Sequence, residues 1–185
     1  MVADRIFQQG EHVCVFYETT EQQLAVSAAY VAEGLRCRER CLYVGTDAAA
    51  LNDFREQLRQ VDIDPDAAEA TTALVMLTSA NAHLAAGSFD SERMLRMLNQ
   101  GIESALDAGF TGLRTCGDMT WLLDHPSAAS HVMEYEALVT ELFKTARGVA
   151  MCQYDRNRFA ADLIDRAMAT HASMIGVEDI TPATK

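Results

Sequence analysis

The order of apolar segments predicts an α/β fold with three layers, in which a mostly parallel sheet of five or six strands carries helices on both faces. Short apolar runs alternate along the chain with longer segments whose apolar residues recur at helical spacing. The runs are apolar throughout, as strands are when helices cover both faces of a sheet. We therefore expect a single domain over residues 1–178 and a frayed tail over 179–185.

The predicted elements follow from this alternation in chain order. Strands are expected at 12–17, 41–46, 73–78, 111–116 and 148–154, with a sixth at 173–177. Apolar stripes of helical spacing begin at Leu24, Met94, Val132 and Phe159. Gly148 is expected to end the helix that contains Val132, and Asp155 is expected to cap the start of the last one.

The first strand leads into a helix through Glu18-Thr19-Thr20-Glu21, where nucleotide-binding α/β domains carry a phosphate-binding loop. Such a loop needs glycines and a lysine, and this segment has neither. The nearest match elsewhere, residues 112–119, places Asp118 where the lysine belongs. The chain therefore has the order of strands and helices of a nucleotide-binding domain but lacks the residues that bind phosphate. We expect no enzyme activity, no catalytic residues and no cofactor.

Composition excludes several other classes of function. The formal net charge is −12, and the basic residues form no block that could bind nucleic acid. No apolar run is long enough to cross a bilayer, and the first ten residues lack the apolar core of a signal peptide, so we expect a cytoplasmic protein without membrane contact. Cys37 and Cys41 are four residues apart without a partner pair, which gives only weak support to zinc, and we predict no metal.

Parallel sheets bind ligands beyond the carboxyl ends of their strands, and the predicted strands deliver aromatic and acidic residues there. These residues are Tyr17, Glu18, Thr46, Asp118, Trp121, Tyr154 and Asp155. Aromatic walls with carboxylates are typical of a pocket for a small organic molecule that bears a hydroxyl or an amine. Tyr17 and Glu18 are expected to face Asp118, Trp121 and Tyr154 across this edge.

The residues predicted to line the pocket could instead have purely structural roles. Trp121 could be a core or interface anchor, and Glu18 could favour the start of the first helix through the helix dipole. Arg114 points to the same side of its strand as Asp118, so the two could form a pair or share a ligand. His12 is expected at the opposite end of the sheet, in a structural hydrogen bond.

Motifs spread over most of the chain resemble the MEDS family of sensory domains, typified by the regulator DcmR. They are His12-x4-Tyr17, Gly34 to Val44, Gly112 to Trp121, Tyr135-Glu136, Cys152-Gln-Tyr-Asp155 and Thr170-His171. The resemblance implies a RecA/KaiC-like fold that lacks a Walker A loop, and a non-catalytic domain that senses small hydrocarbon derivatives. It carries motif roles to His12, Tyr17, Arg114, Asp118, Trp121, Tyr135, Glu136, Cys152, Tyr154 and Asp155.

The leading hypothesis is a sensory domain that binds a small organic ligand and regulates a signalling protein partner such as a kinase, an anti-sigma factor or a DNA-binding regulator. Three alternatives stay open at this stage. The chain could bind a nucleotide without the standard loop, or it could act as an oligomeric scaffold, since RecA-like domains often associate. A thiol-based redox sensor at Cys37 and Cys41 is the third.

Overall fold

The computed structural model describes residues 7–180, which include the whole predicted domain except its first six residues. Residues 181–185 of the predicted tail lie outside the described part, while 179 and 180 belong to a short helix. Within residues 7–180, no helix combines the length and the apolar character that crossing a membrane requires.

Six parallel strands form one sheet, in the order β3-β2-β4-β5-β1-β6. Their bounds are β1 His12–Tyr17, β2 Arg40–Gly45, β3 Leu74–Thr78, β4 Leu113–Asp118, β5 Gly148–Asp155 and β6 Ser173–Ile175. The helices are α1 Thr20–Arg36, α2 Ala48–Gln60, α3 Pro65–Ala70, α4 Ser91–Asp107, α5 Ala129–Phe143, α6 Ala161–Thr170 and α7 Val177–Ile180. The predicted α/β fold class is confirmed.

Helices cover both faces of the sheet, as the apolar strands predicted. α1, α2 and α7 pack on one face, where alternate strand residues such as Val13, Val15 and Tyr43 contribute to the core. α4, α5 and α6 pack on the other face against the intervening residues, such as Cys14 and Phe16. The alternation of strand side chains therefore decides which of two separate cores each residue enters.

Several predicted element ends differ from the observed ones, and two strands, β4 and β5, run past their apolar residues because strand pairing continues. β4 continues through Gly117 to Asp118, which pairs with Gln153 of β5. Gly148 does not stop α5, which ends at Phe143. It opens β5, as the predicted strand at 148–154 required, and pairs with Leu113.

Asp155 is not a helix cap. It is the last residue of β5 and pairs with Tyr17, while α6 begins at Ala161 after Ala160. The Asp155 carboxylate accepts a hydrogen bond from the backbone N–H of Asn157 at 2.9 Å. The carboxylate therefore stabilises the turn after the strand and not the start of the helix.

Candidate functional site

A cleft of about 290 Å³ opens at the carboxyl edge of the sheet, on the face covered by α1 and α2. Tyr17 ends β1 and Asp118 ends β4, and both line this cleft. Thr20 at the start of α1 and Asp47 at the N-cap of α2 line it as well. It lies where open parallel sheets bind ligands.

Tyr17 and Asp118 meet across the strand that separates them. β5 lies between β1 and β4, with its Asp155 beside Tyr17 and its Gln153 beside Asp118. The Tyr17 hydroxyl still reaches Asp118 Oδ1 at 3.1 Å and donates a hydrogen bond to it. The backbone N–H and the hydroxyl of Thr120 donate to the same carboxylate, at 3.0 and 2.9 Å. The predicted proximity of Tyr17 and Asp118 is confirmed.

The environment of Asp118 makes its charge costly but leaves room for a further donor. Burial raises the pKa of the Asp118 carboxyl, and the hydrogen bonds from Thr120 and Tyr17 oppose this shift. Burial and the Asp118 charge raise the pKa of the Tyr17 phenol, so Tyr17 stays a proton donor. A carboxylate accepts about four hydrogen bonds. Among the described residues, Tyr17 and Thr120 supply three.

The lining of the cleft is acidic. Its ionisable side chains include four carboxylates and one guanidinium, which give a formal charge of −3 among the described residues: Asp47, Asp53, Asp118, Asp155 and Arg158. Such a lining attracts a cation or a neutral hydrogen-bond donor and repels an anion. The cleft therefore suits an amine or an alcohol better than a phosphate.

Four of the eight predicted ligand residues line this cleft: Tyr17, Thr46, Asp118 and Asp155. Trp121 lines an adjoining hollow of about 380 Å³ that shares Thr46 and Arg158 with the cleft. Its indole is buried and stacks on His83, with ring centroids 4.9 Å apart. The structural interpretation of Trp121 as a core anchor therefore holds, although the residue borders a hollow.

Glu18 and Tyr154 do not join the predicted wall. Glu18 is exposed and lines a separate surface hollow beside Arg156. Tyr154 is in register with Phe16, so both point to the α5 and α6 face of the sheet, where Tyr154 packs against Phe159. The expectation that Tyr154 faces Tyr17 is wrong because side chains of neighbouring strand residues alternate between the two faces.

Arg114 does not pair with Asp118. Four residues of strand separate their Cα atoms by about 13 Å, too far for an ion pair. The guanidinium instead binds Glu39 at 2.6 Å and Glu33 at 3.4 Å, and it donates to the Tyr30 carbonyl at 3.2 Å. Arg114 is 1% exposed, so it is a structural ion-pair residue beneath α1.

A second polar cluster lies on the opposite face of the sheet, where α5 and α6 pack. Glu136 of α5 is its centre, with Oε2 3.0 Å from His12 Nε2 and 3.4 Å from both His171 Nε2 and Cys152 Sγ. Cys152 Sγ lies 3.6 Å from His12 Nε2. We call these four residues the His–Glu–Cys cluster. Tyr135, the remaining motif residue, packs edge-on against Phe89 in the adjacent core.

Burial governs the charges of the His–Glu–Cys cluster. It lowers the pKa of His12, so that imidazole resists protonation even though Glu136 acts in the other direction. Burial alone would raise the pKa of Glu136, but the contacts with His12 and His171 hold it below its usual range. Burial and the Glu136 charge raise the pKa of the Cys152 thiol. The cluster thus places a carboxylate, two imidazoles and a thiol together in one buried site.

A small cavity of about 50 Å³ lies beside this cluster. His12, Glu136 and Cys152 form part of its wall, and most of the remainder is apolar, including Met94 and Val139. This volume admits a molecule of a few heavy atoms.

Sequence reasoning found the members of this cluster only as separate motif residues. His12 was expected to have a structural role, and His171 showed no ligand spacing, because the four side chains come from distant segments of the chain. The one sequence signal that these four residues share is that each belongs to a motif of the MEDS family. The two cysteines that gave weak support to a zinc site, Cys37 and Cys41, do not belong to this cluster. Cys37 is exposed, whereas Cys41 is buried with its sulfur near the Val31 carbonyl.

Comparison with known proteins agrees with the fold and the motifs. The crystal structure of the flagellar accessory protein FlaH from Methanocaldococcus jannaschii is similar to this chain, with a TM-score of 0.61 at 13% identity over 95% of this chain and 74% of that one. That likeness is one of fold, and it agrees with the expected RecA-like architecture. A comparison with curated proteins found no match. The model of the MEDS family, the methanogen/methylotroph DcmR sensory domain, matches residues 11–172, and the chain belongs to this family.

Proposed function

We propose that this sensory domain binds a small organic molecule with an amine or a hydroxyl group in the cleft between Tyr17 and Asp118. The observation that carries the proposal is the Asp118 carboxylate, which lies half-buried at the carboxyl edge and retains acceptor capacity beyond the bonds from Tyr17 and Thr120. A bound ammonium or hydroxyl would complete its hydrogen bonding. In this proposal the chain performs no chemistry on the ligand.

The electrostatics of the cleft disfavour the alternative of nucleotide binding. A capping box closes the start of α1: Thr19 accepts from the Gln22 N–H, and the Gln22 side chain accepts from the N–H groups of Glu18 and Thr19. Asp47 caps α2 in the same way, through the N–H of Ala50. These caps use one N–H group in the first turn of each helix, and the carboxylates that line the cleft repel a phosphate.

Ligand binding at Asp118 could also change the structure of the protein surface. Thr120 binds Asp118 twice and opens the 3-10 turn Thr120–Leu123, which carries the buried Trp121. A ligand that competes with Thr120 for the carboxylate would shift this turn and the connection to α5. We propose that a signalling protein partner reads this shift as a change between two states of the surface.

A thermal-shift screen of small amines, alcohols and halocarbons tests the proposal. Amines and alcohols that bind the cleft should raise the melting temperature of the wild type, because they bind only the folded state. Removing the charge with Asp118→Asn should weaken amine binding about 10- to 100-fold, as expected for the loss of a charge-assisted hydrogen bond. Tyr17→Phe should have a smaller effect, since it removes only a neighbour of the carboxylate.

Asp107→Asn is the matched control, because Asp107 is an exposed carboxylate at the end of α4, outside the cleft lining. It should leave the ligand response unchanged. The proposal fails if no compound of these classes stabilises the wild type, or if Asp118→Asn responds as the wild type does. Saturable binding of ATP with Mg²⁺ would favour the nucleotide alternative instead.

A further inference from the structure

We propose that His12, Glu136, Cys152 and His171 form a binding site for one divalent transition-metal ion with the preferences of zinc. One ligand atom from each residue, two imidazole nitrogens, a carboxylate oxygen and a sulfur, lies within 4.8 Å of all the others. Imidazole and thiolate ligands select zinc and its neighbours over magnesium or calcium. This site is separate from the cleft and does not depend on the ligand proposed there.

Four of the six separations among the ligand atoms are close to the edges of a tetrahedral site. Zinc bonds of about 2.0–2.1 Å to nitrogen and oxygen and about 2.3 Å to sulfur imply ligand separations of about 3.3 Å between nitrogen and oxygen and about 3.5 Å to sulfur. The observed separations from Glu136 Oε2 are 3.0 Å to His12 Nε2, 3.4 Å to His171 Nε2 and 3.4 Å to Cys152 Sγ. The separation of Cys152 Sγ from His12 Nε2 is 3.6 Å. The remaining two separations, both to His171 Nε2, are within 4.8 Å, so one ion can lie among these atoms if the His171 side chain adjusts.

His171 presents a nitrogen that a metal ion would satisfy. Its Nδ1 lies 2.7 Å from the Ala167 carbonyl, which can only accept, so the Nδ1 carries the proton. With one proton on Nδ1, the ring turns its other nitrogen, Nε2, toward Glu136. This buried Nε2 has no hydrogen-bond partner among residues 7–180, although Glu136 Oε2 is 3.4 Å away. A lone pair opposite a carboxylate is unfavourable unless a cation lies between them.

His12 is oriented in the same way by a relay through Thr140. The Thr140 hydroxyl lies 2.8 Å from the Thr170 carbonyl and 3.2 Å from the Glu136 carbonyl, so its one proton goes to a carbonyl. Its oxygen then accepts from His12 Nδ1 at 2.8 Å. His12 thereby directs its Nε2 toward Glu136 as well. Such outer hydrogen bonds to carbonyls and hydroxyls orient the histidines of metal sites.

Metal binding also has a defined proton balance. Cys152 binds the ion as a thiolate, so its thiol proton passes to solvent when the sulfur–metal bond forms. The imidazoles and the carboxylate bind through lone pairs, for which protons compete with the ion. We expect binding to release protons and to strengthen as the pH rises.

Titration of the chelator-treated full chain with Co²⁺ tests this site. We expect one ion per chain, with the visible bands of tetrahedral cobalt and the near-ultraviolet charge-transfer band of a cobalt–thiolate bond. Zn²⁺ should displace the cobalt and raise the melting temperature. Calorimetry in buffers of different ionisation enthalpy should report the release of protons on binding.

Matched variants separate this site from adventitious binding. Cys152→Ser should remove the charge-transfer band, whereas Cys116→Ser, a buried thiol on the neighbouring strand, and Cys37→Ser, the exposed thiol, should keep it. Thr140→Val should lower Co²⁺ affinity about 10- to 100-fold without changing the spectrum, as a residue that orients a ligand does. Far-ultraviolet circular dichroism verifies that each variant is folded.

Two results would overturn the proposal. One is a folded wild type that takes up no stoichiometric Co²⁺ or Zn²⁺. The other is a charge-transfer band that persists in Cys152→Ser or disappears in Cys37→Ser, since either would place the bound ion elsewhere. Failure of amine binding in the cleft leaves both tests unaffected, because the cleft lies on the other face of the sheet.

Discussion

Substitution of Arg114 by methionine tests the assignment of this residue as structural. The change keeps the apolar stem beneath α1 and removes the guanidinium, which leaves Glu39, 4% exposed, as an uncompensated buried carboxylate. It also deprives the Tyr30 carbonyl of its donor at 3.2 Å. Breaking a buried ion pair in this way costs about 3–5 kcal/mol. Because Glu33 is only partly buried, its share of this cost is small.

Urea unfolding monitored by the fluorescence of Trp121, the single tryptophan of the sequence, measures this loss. With a denaturant slope of about 2–3 kcal/mol per molar, the midpoint should fall by about 1–2 M. The double variant Arg114→Met with Glu39→Gln should recover at least about 1 kcal/mol, because it removes the stranded charge. The reasoning is refuted if the single variant loses less than about 1 kcal/mol, or if the double variant is no more stable than the single one.

Three further predictions concern packing and pH. Gly34→Ala should destabilise the protein by about 1–3 kcal/mol despite its gain in helix propensity, since the new Cβ would lie 2.5 Å from Arg114 Cδ. The control Gly101→Ala meets only a leucine methyl at 3.1 Å, so urea unfolding should show almost no change in its stability. Burial lowers the pKa of His83 to about 4, so between pH 6.5 and 4 the unfolded state binds a proton that the folded state does not, and stability falls as the pH drops. In urea titrations across that range, His83→Gln should reduce this loss of stability by up to about 3 kcal/mol. The pKa of Asp118 is raised, so its contribution to stability is present at low pH and lost as the pH rises through that pKa. The stability of Asp118→Asn should not fall in this way. A pH dependence equal to that of the wild type would contradict the raised pKa of Asp118.

The fold was predictable because the relevant information is local. The alternation of short apolar runs and helical stripes defines the strands, and β1 begins and ends as predicted at His12 and Tyr17. The errors occur at polar strand ends such as Asp118 and Asp155, where pairing with a neighbouring strand extends the element beyond the apolar run. Hydropathy carries no information about such pairing.

The site was predictable only where the carboxyl-edge rule applies. That rule brought Tyr17 and Asp118 to one cleft, but it ignored side-chain alternation, so Tyr154 was assigned to the wrong face. The His–Glu–Cys cluster depends on the packing of α5 and α6 against the sheet. Its histidines are far apart in the chain, and no spacing rule for metal or catalytic sites joins them.

The most direct test of the proposed sensory function is a crystal structure of the wild type with the amine or alcohol that stabilises it most. We predict electron density for the compound in the cleft, with its donor within hydrogen-bond distance of Asp118 and close to Tyr17. Density for the compound in the cavity beside Glu136, or at any place away from Asp118, would contradict the assignment of the ligand site.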